Sequence, residues 1–149
     1  MTDRNVREQL NNVRRVHREV AHDLERREAL MAKATRVNAA PSDAKVKTSP
    51  VNQHEVILAM IADLDLELND RMAYLTHIKN EARQLFEASD LTREESEVME
   101  LRYISCYDWD EIAELLYWSK RTVQRIHGNA LEKVGTRWHT LAHSDTRKV

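Results

Sequence analysis

The chain has 149 residues, 32% of them charged, and a net charge of only −2, so the overall charge favours no class of partner. Two Gly, two Pro and abundant Glu, Arg, Leu and Ala favour long helices with few tight turns. The single cysteine excludes an internal disulfide framework, and no apolar run reaches the roughly 18 residues of a membrane span. With no signal-peptide core at the start, we expect an all-α, cytoplasmic protein.

The first predicted element is one long helix, which takes up residues 1–37. Apolar residues recur there at spacings of three and four, and Arg27 fills a gap, which is the heptad-like pattern of a coiled coil. The stripe consists of Val6, Leu10, Val13, His17, Val20, Leu24, Met31 and Ala34. We expect His17 to lie in this seam and not to serve as a ligand or a pH switch.

Residues 38–52 form the predicted linker, because Pro41 and Pro50 cannot lie inside a helix and the residues around them favour turns. A second long helix is predicted over residues 53–89, with an apolar stripe of similar spacing. Its stripe consists of Ile57, Ile61, Leu64, Leu68, Met72, Leu75, Ile78, Ala82 and Leu85.

Neither long helix can be stable alone with so narrow an apolar seam, so the two helices are expected to pair. Residues 3–36 carry nine basic and six acidic groups, whereas residues 51–88 carry three and seven. These opposite net charges favour an antiparallel, coiled-coil-like hairpin. The same seams could instead bury a partner chain, so a homodimer through the hairpin stays open.

Three short helices are predicted within residues 90–136. Thr92 with Glu95 and Asp108 with Glu111 have the spacing of capping boxes, which begin two of the helices. Ser119 caps the third helix, which Gly135 is expected to end, leaving residues 137–149 as a tail. The middle helix spans about 109–116, with Ile112, Ala113, Leu115 and Leu116 on its inner side.

A two-turn helix, a turn at Tyr117 and Trp118, and a longer third helix form the length pattern of a helix-turn-helix. Residues 92–116 carry two basic and eight acidic groups, whereas residues 117–140 carry five basic and one acidic. A basic segment that follows an acidic one predicts that the third helix contacts an anion.

The outward side of the third helix has the side chains that duplex DNA requires. Arg and Lys can reach phosphates and guanine edges, and Gln and Asn can pair with adenine. The hydroxyl groups near the helix start can contact a phosphate where backbone amides already favour negative charge. The predicted DNA-binding residues are Ser119, Lys120, Arg121, Thr122, Gln124, Arg125 and Asn129.

Residues 91–134 resemble region 4 of bacterial sigma-70-class sigma factors. The matching features are Leu91-Thr92, Leu101-Arg102-Tyr103, Glu111-Ile112-Ala113, Leu115-Leu116, Ser119, Thr122-Val123 and Ala130-Leu131. These motifs are specific together and weak singly, because related helix-turn-helix domains share several of them. More loosely, the whole chain resembles small sigma-like transcription regulators of phages and prophages, the RinA/ArpU-like group.

The resemblance implies that the third helix reads promoter DNA in the major groove and that RNA polymerase is a partner, in a bacterial or phage-infected cell. This sequence departs from the family at Arg121, where sigma factors that recognise the usual −35 element have an acidic residue. Tyr117 or Trp118 replaces the Gly of the turn. No counterpart of the DNA-melting region 2 is visible, so the chain is not expected to be a complete sigma factor.

Other chemistry has weaker signals. His139 and His143 have the spacing of metal ligands on a helix but lack a third ligand nearby. Cys106, between two predicted helices, is expected to pack rather than to react. Trp109 and Trp118 are expected to pack in the core and at the turn. Since no phosphate loop, nucleophile elbow or metalloprotease motif is present, we predict a chain that is not an enzyme and uses no cofactor or metal.

Three functions therefore compete. The leading prediction is a DNA-binding transcription regulator encoded by a phage or prophage. The second is an interaction protein that binds RNA polymerase or a sigma-type partner through the acidic residues 92–116 without reading DNA. The third is a small packaging (terminase) subunit of a phage, a class that also combines helix-turn-helix and coiled-coil parts.

Overall fold

The computed structural model describes residues 2–39 and 50–146. Within these two ranges all regular structure is helical and no strand occurs, which confirms the all-α prediction. The elements are α1 (Thr2–Ala39), α2 (Pro50–Glu87), α3 (Arg93–Met99), a π-helical segment (Glu100–Ile104), α4 (Trp109–Leu116) and α5 (Lys120–Thr146).

The predicted linker 38–52 is too long at both edges. Helix α1 includes residues 38 and 39, and α2 begins at Pro50. Proline is tolerated at the first position of a helix, because the N–H that it lacks would have no partner within the helix. Residues 40–49, which include Pro41, lie outside the described residues.

The chain divides into two compact units. Unit 1 comprises Met1–His17 and Leu75–Val149, and unit 2 comprises Arg18–Tyr74. Unit 1 therefore contains one end of each long helix together with α3, α4 and α5.

In unit 2, parts of α1 and α2 pack on each other in antiparallel order. Ala34 is buried with Ile57 and Ile61, and the half-buried Leu30 and Val37 pack against them. Two ion pairs cross the same seam: Arg27 Nε lies 2.5 Å from Asp65 Oδ1, and Arg71 pairs with the buried Asp23.

Three predictions of burial in the long helices are wrong, and the ion pairs explain those of Leu24 and Met72. Leu24, Met31 and Met72 are exposed, although they belong to the predicted apolar stripes. Next to Leu24, the buried residue of the seam is Asp23. At 3.6 residues per turn, adjacent residues can both lie near a seam. Asp23 takes the inner place because its carboxylate is paired with Arg71, the neighbour of Met72.

Unit 1 is held together by a core to which almost every element contributes. Aromatic and aliphatic side chains of both long helices meet those of α3, the π-helical segment and α5. The buried members are Val6, Leu10, Ala82, Leu85, Phe86, Met99, Tyr103, Ala130, Leu131 and Val134. The position of α5 therefore depends on α1 and α2 as well as on its neighbours in sequence.

A second core of unit 1 joins α3, α4 and α5. One fully buried residue comes from each helix: Val98, Ile112 and Val123. Trp109 and Trp118 are half-buried against this core, as predicted. Leu115 is exposed, contrary to prediction, because Ile112 alone fills the buried position on the two turns of α4.

Helix α5 does not end at Gly135. The helix continues to Thr146, so the predicted tail is helical through that residue, while residues 147–149 lie outside the described residues. Gly135 is buried and has no positive φ angle, which a helix-ending glycine needs. Three residues further on, Trp138 packs against the first core, so continued helix buries aromatic surface and offsets the roughly 1 kcal/mol helix penalty of glycine.

Candidate nucleic-acid interface

The candidate interface begins with the turn between α4 and α5. Helix α4 spans the predicted residues and is two turns long. The Trp118 amide donates to the Ala113 carbonyl at 3.1 Å, and the Tyr117 amide to the Glu114 carbonyl at 3.4 Å. This pair of bonds is a Schellman motif, which ends α4 sharply and lets α5 begin three residues later.

Tyr117 takes the left-handed position of that motif, with φ 57° and ψ 35°. Glycine usually occupies this position, because a Cβ atom costs about 1–2 kcal/mol in left-handed backbone. The Tyr117 side chain is 94% exposed, so packing within the protein does not offset the cost. The turn therefore presents a large aromatic side chain to the outside.

Two capping boxes fix α3 and α4, as predicted. At α3, the Glu95 amide donates to Thr92 Oγ1 at 3.2 Å and the Thr92 amide to Glu95 Oε2 at 3.3 Å. Lys133 Nζ lies 2.9 Å from the same Glu95 carboxylate, which ties α3 to α5. At α4, Glu111 Oε2 accepts from the Asp108 amide at 3.2 Å.

Ser119 caps α5 as predicted, which changes what its hydroxyl can do. Its Oγ accepts from the Thr122 amide at 3.1 Å and lies 2.8 Å from Thr122 Oγ1, to which it donates. Of the two predicted phosphate-binding hydroxyl groups, only that of Thr122 can then donate a hydrogen bond to a phosphate. Thr122 is half-buried and Ser119 is exposed.

The other predicted residues lie on the outer face of α5, by which we mean Lys120, Arg121, Gln124, Arg125 and Asn129. All five are exposed. Lys120 Nζ lies 3.5 Å from Asp110 Oδ1, a weak surface ion pair. Among the described residues, the side chains of the other four make no hydrogen bond or ion pair. Apart from Lys120, the side chains of the outer face are therefore donors and cations without partners among the described residues.

Gly128 lies on the same side of the helix, between the turns that carry Gln124 and Arg125 and the turn of Glu132. A Cβ atom placed there would have nothing within 4 Å, so packing does not require glycine. The absence of a side chain at this position allows a partner to approach the backbone of α5 closely.

On one flank of the outer face, a groove of about 390 Å³ separates α5 from the start of α3. Thr122, Arg125 and Asn129 line it together with Thr92 and Glu94. The predicted residues thus divide between this groove and the open part of the outer face.

The opposite flank holds an aromatic group that the sequence did not indicate. Tyr103, Trp109 and His127 pack together, with the His127 ring edge-on to Trp109 at 4.6 Å between centroids. Burial, followed by the nearby Arg102 and Arg7, lowers the pKa of His127 to about 4. The imidazole is therefore neutral at pH 7, and this flank of α5 is apolar and fixed.

Two arginines that sequence reasoning did not single out lie next to this group. Arg102 stacks on Trp109 at 4.0 Å from the ring centroid and donates to the Tyr107 carbonyl at 3.2 Å. Arg14 of α1 lies 3.3 Å from Asp108, which precedes α4. No sequence signal could place Arg14 here, because only the tertiary packing of α1 decides which of its basic residues meets α4.

The candidates for other chemistry do not converge on a site. Burial raises the pKa of the Cys106 thiol, which disfavours the reactive thiolate. The thiol donates to the Tyr103 carbonyl at 3.4 Å. Among the described residues, no three His, Cys, Asp or Glu side chains could hold a metal ion together. His139 is exposed, and the side chain of His143 lies outside the described residues.

None of the helices in residues 2–39 and 50–146 has an apolar stretch that could cross a bilayer. Comparison of the chain with family models, with curated proteins and with solved structures gives no match. The resemblance to sigma region 4 therefore stays a prediction.

Proposed function

We propose that the chain is a transcription regulator that binds duplex DNA through the outer face of α5. The observation that carries the proposal is that Arg121, Gln124, Arg125 and Asn129 are exposed on one side of a helix and have no partner among the described residues. An ordinary solvated helix would offset such cations with acidic residues at spacings of three or four. Here the first acidic residue of α5 is Glu132.

The surroundings of α5 support this proposal. A short helix, a sharp Schellman turn and a longer helix form a helix-turn-helix, in which the second helix enters the major groove and its first turns meet base edges. The outer face begins in the first turn of α5, where backbone amides also favour a phosphate. The resemblance to sigma region 4 points to the same helix.

The proposal is tested by fluorescence anisotropy with labelled duplexes of random sequence at low salt. We expect binding that weakens steeply as salt rises, because phosphate contacts release counterions. Arg121→Ala with Arg125→Ala should weaken binding by about 30-fold or more, if each arginine contributes about 1–3 kcal/mol. The control is Arg26→Ala with Arg36→Ala, which removes the same charge from exposed positions of α1 in unit 2.

If both double variants bound DNA as well as the wild-type chain, the assignment of α5 would be wrong. Selection from a random duplex library then identifies the sequence that the outer face reads. A regulator should enrich one motif, whereas a chain that only neutralises phosphates should enrich none.

A specific observation favours a second function, in which the chain binds RNA polymerase without reading DNA. The acidic residues of α4 point to solvent: Asp110 and Glu114 are exposed, and within residues 2–39 and 50–146 Asp110 has only the weak pair with Lys120. Co-purification with core polymerase that survives Arg121→Ala with Arg125→Ala but not Asp110→Asn with Glu114→Gln would favour this function. Mass photometry addresses the packaging-subunit alternative, which requires ring-shaped oligomers.

A further inference from the structure

A cluster of cations lies where α1 meets the start of α4, outside the outer face of α5. Its members are Arg7, Arg14, Lys79 and Arg102. Arg14 pairs with Asp108, but Lys79 Nζ contacts His17 Nδ1 at 3.1 Å, and Arg102 contacts a carbonyl and an aromatic ring. Burial and the nearby Lys79 and Arg14 lower the pKa of His17, so Lys79 meets a neutral ring. Positive charge exceeds negative charge in this cluster.

The two half-buried arginines of the cluster are incompletely satisfied. The Nε atoms of Arg14 and Arg102 are themselves buried and have no hydrogen-bond partner among the residues that the structure describes. The Arg14 side chain is only 13% exposed, and its Nη2 atom contacts the Asp108 carboxylate, which is 76% exposed. Burial with few partners is costly for a guanidinium group. A second anion cannot reach the buried Nε atoms, but beside the outer ends of the same two guanidinium groups it would offset their charge.

The position of the cluster relates it to the outer face of α5. Arg102 covers Trp109, and Trp109 packs edge-on against His127 of α5. Lys120 and His127 are seven residues apart, two turns, and therefore lie along the same flank of α5. A duplex whose groove receives the outer face must run one of its backbones beside that flank, because the major groove is only about 12 Å wide.

We propose that Arg14 and Arg102 form a phosphate-binding patch that holds one DNA backbone beside the outer face of α5. In the free protein, the exposed Asp108 carboxylate pairs with Arg14 in place of the phosphate. The inference rests on the proposed function and adds α1 to the interface. Phosphates are a suitable occupant because arginine binds them in bidentate geometry, and their contacts fix the register of a protein on DNA without reading sequence.

The test measures how DNA affinity depends on salt. Each phosphate contact contributes about 0.9 to the slope of log affinity against log salt. Arg14→Ala should therefore reduce the steepness of this salt dependence by about one. The reduction should be the same for every duplex sequence. Arg102→Gln, which keeps a polar chain over Trp109, should have a similar effect. The control is Arg15→Ala, which removes the same charge from an exposed neighbour that contacts Asn12 and should leave the slope unchanged.

Asp108→Asn separates phosphate binding from a structural role. Asparagine is also a good N-cap, so α4 should stay folded, and circular dichroism checks this. Under the proposal, the substitution frees Arg14 and removes a repulsive charge, so DNA should bind several-fold more tightly. If Arg14 only pinned α4 through Asp108, Asp108→Asn would weaken binding as Arg14→Ala does. That result, or an unchanged salt slope in Arg14→Ala, would overturn the proposal.

The two proposals fail in different ways. In one case the wild-type chain binds DNA, the double variant Arg121→Ala with Arg125→Ala does not, and Arg14→Ala leaves the salt slope unchanged. Only the phosphate patch is then wrong. If the wild-type chain binds no duplex at low salt, the proposed function is wrong and the patch with it.

Discussion

The Tyr103 hydroxyl lies 2.7 Å from Nε2 of His127, which joins the π-helical segment to α5 inside unit 1. Because the pKa of His127 is about 4, the imidazole is neutral at pH 7 and its Nε2 atom accepts a hydrogen bond from the phenol. Burial raises the pKa of Tyr103, so the phenol keeps that proton as donor. The bond fixes the side of α5 opposite the groove that Thr122 and Arg125 line.

The burial of His127 predicts acid sensitivity. The pKa of His127 is about 6.5 in the unfolded chain and about 4 in the folded protein, so its contribution to stability is complete above pH 6.5 and is lost as the pH falls toward 4. Urea unfolding should show a loss of about 2 kcal/mol between pH 7.5 and 5. His127→Phe should lose much less over that interval; an equal loss in both proteins would refute the assignment. His17, whose pKa is also lowered, contributes in the same direction in both.

Tyr117 predicts a substitution that stabilises the protein. Tyr117→Gly removes the Cβ atom from a left-handed position and should raise the free energy of unfolding by about 1 kcal/mol. Glu114→Gly, three residues earlier inside α4, serves as the matched control and should lower it by a similar amount, because glycine is unfavourable within a helix. Chemical denaturation measures both. A loss of stability in both variants would mean that the Tyr117 ring has packing that its 94% exposure does not indicate.

The contact between Glu95 and Lys133 predicts a coupling between α3 and α5. Glu95→Ala removes half of a capping box and a short ion pair with a buried carboxylate, so it should cost about 2 kcal/mol of stability. Lys133→Ala should cost less, since the lysine is partly exposed. A double-mutant cycle should give a coupling near 1 kcal/mol. The exposed pair Arg93 and Glu97 is the control, with an expected coupling of about 0.3 kcal/mol.

Gly128 predicts opposite changes in stability and in DNA affinity. Gly128→Ala meets no atom within 4 Å and should stabilise α5 by up to about 1 kcal/mol. If DNA lies close against the outer face, the added methyl group should weaken binding several-fold in the same variant. Thermal unfolding and anisotropy measure the two effects separately. Greater stability with unchanged affinity would argue that the backbone of α5 at this turn does not touch a partner.

Local signals in the sequence predicted the helices and their caps well. Thr92 and Glu95 form the expected box, and α4 has the expected bounds, because both depend on residues within one turn of each other. Tertiary contacts decided what the sequence could not. Asp23 lies in the seam in place of Leu24 because it pairs with Arg71 on the other long helix. Helix α5 continues beyond Gly135 because Trp138 packs against a core that other helices form.

The candidate interface likewise combines residues that local spacing predicts with residues that only tertiary packing brings there. The outer face of α5 could be listed from its spacing alone, since every residue outside the apolar stripe of a helix tends to be exposed. Arg14 could not be listed. Its partner Asp108 lies 94 residues away in sequence, and several other arginines of α1 have the same local pattern.

The core shared by Val6 and Val134 has a consequence for how the protein is made. During translation, the first turns of α1 leave the ribosome well before α5 does, so their apolar side chains stay uncovered until α5 has been synthesised. Contacts between such distant segments slow folding relative to a bundle of neighbouring helices. The nascent chain therefore cannot complete the core of unit 1 before α5 has left the ribosome.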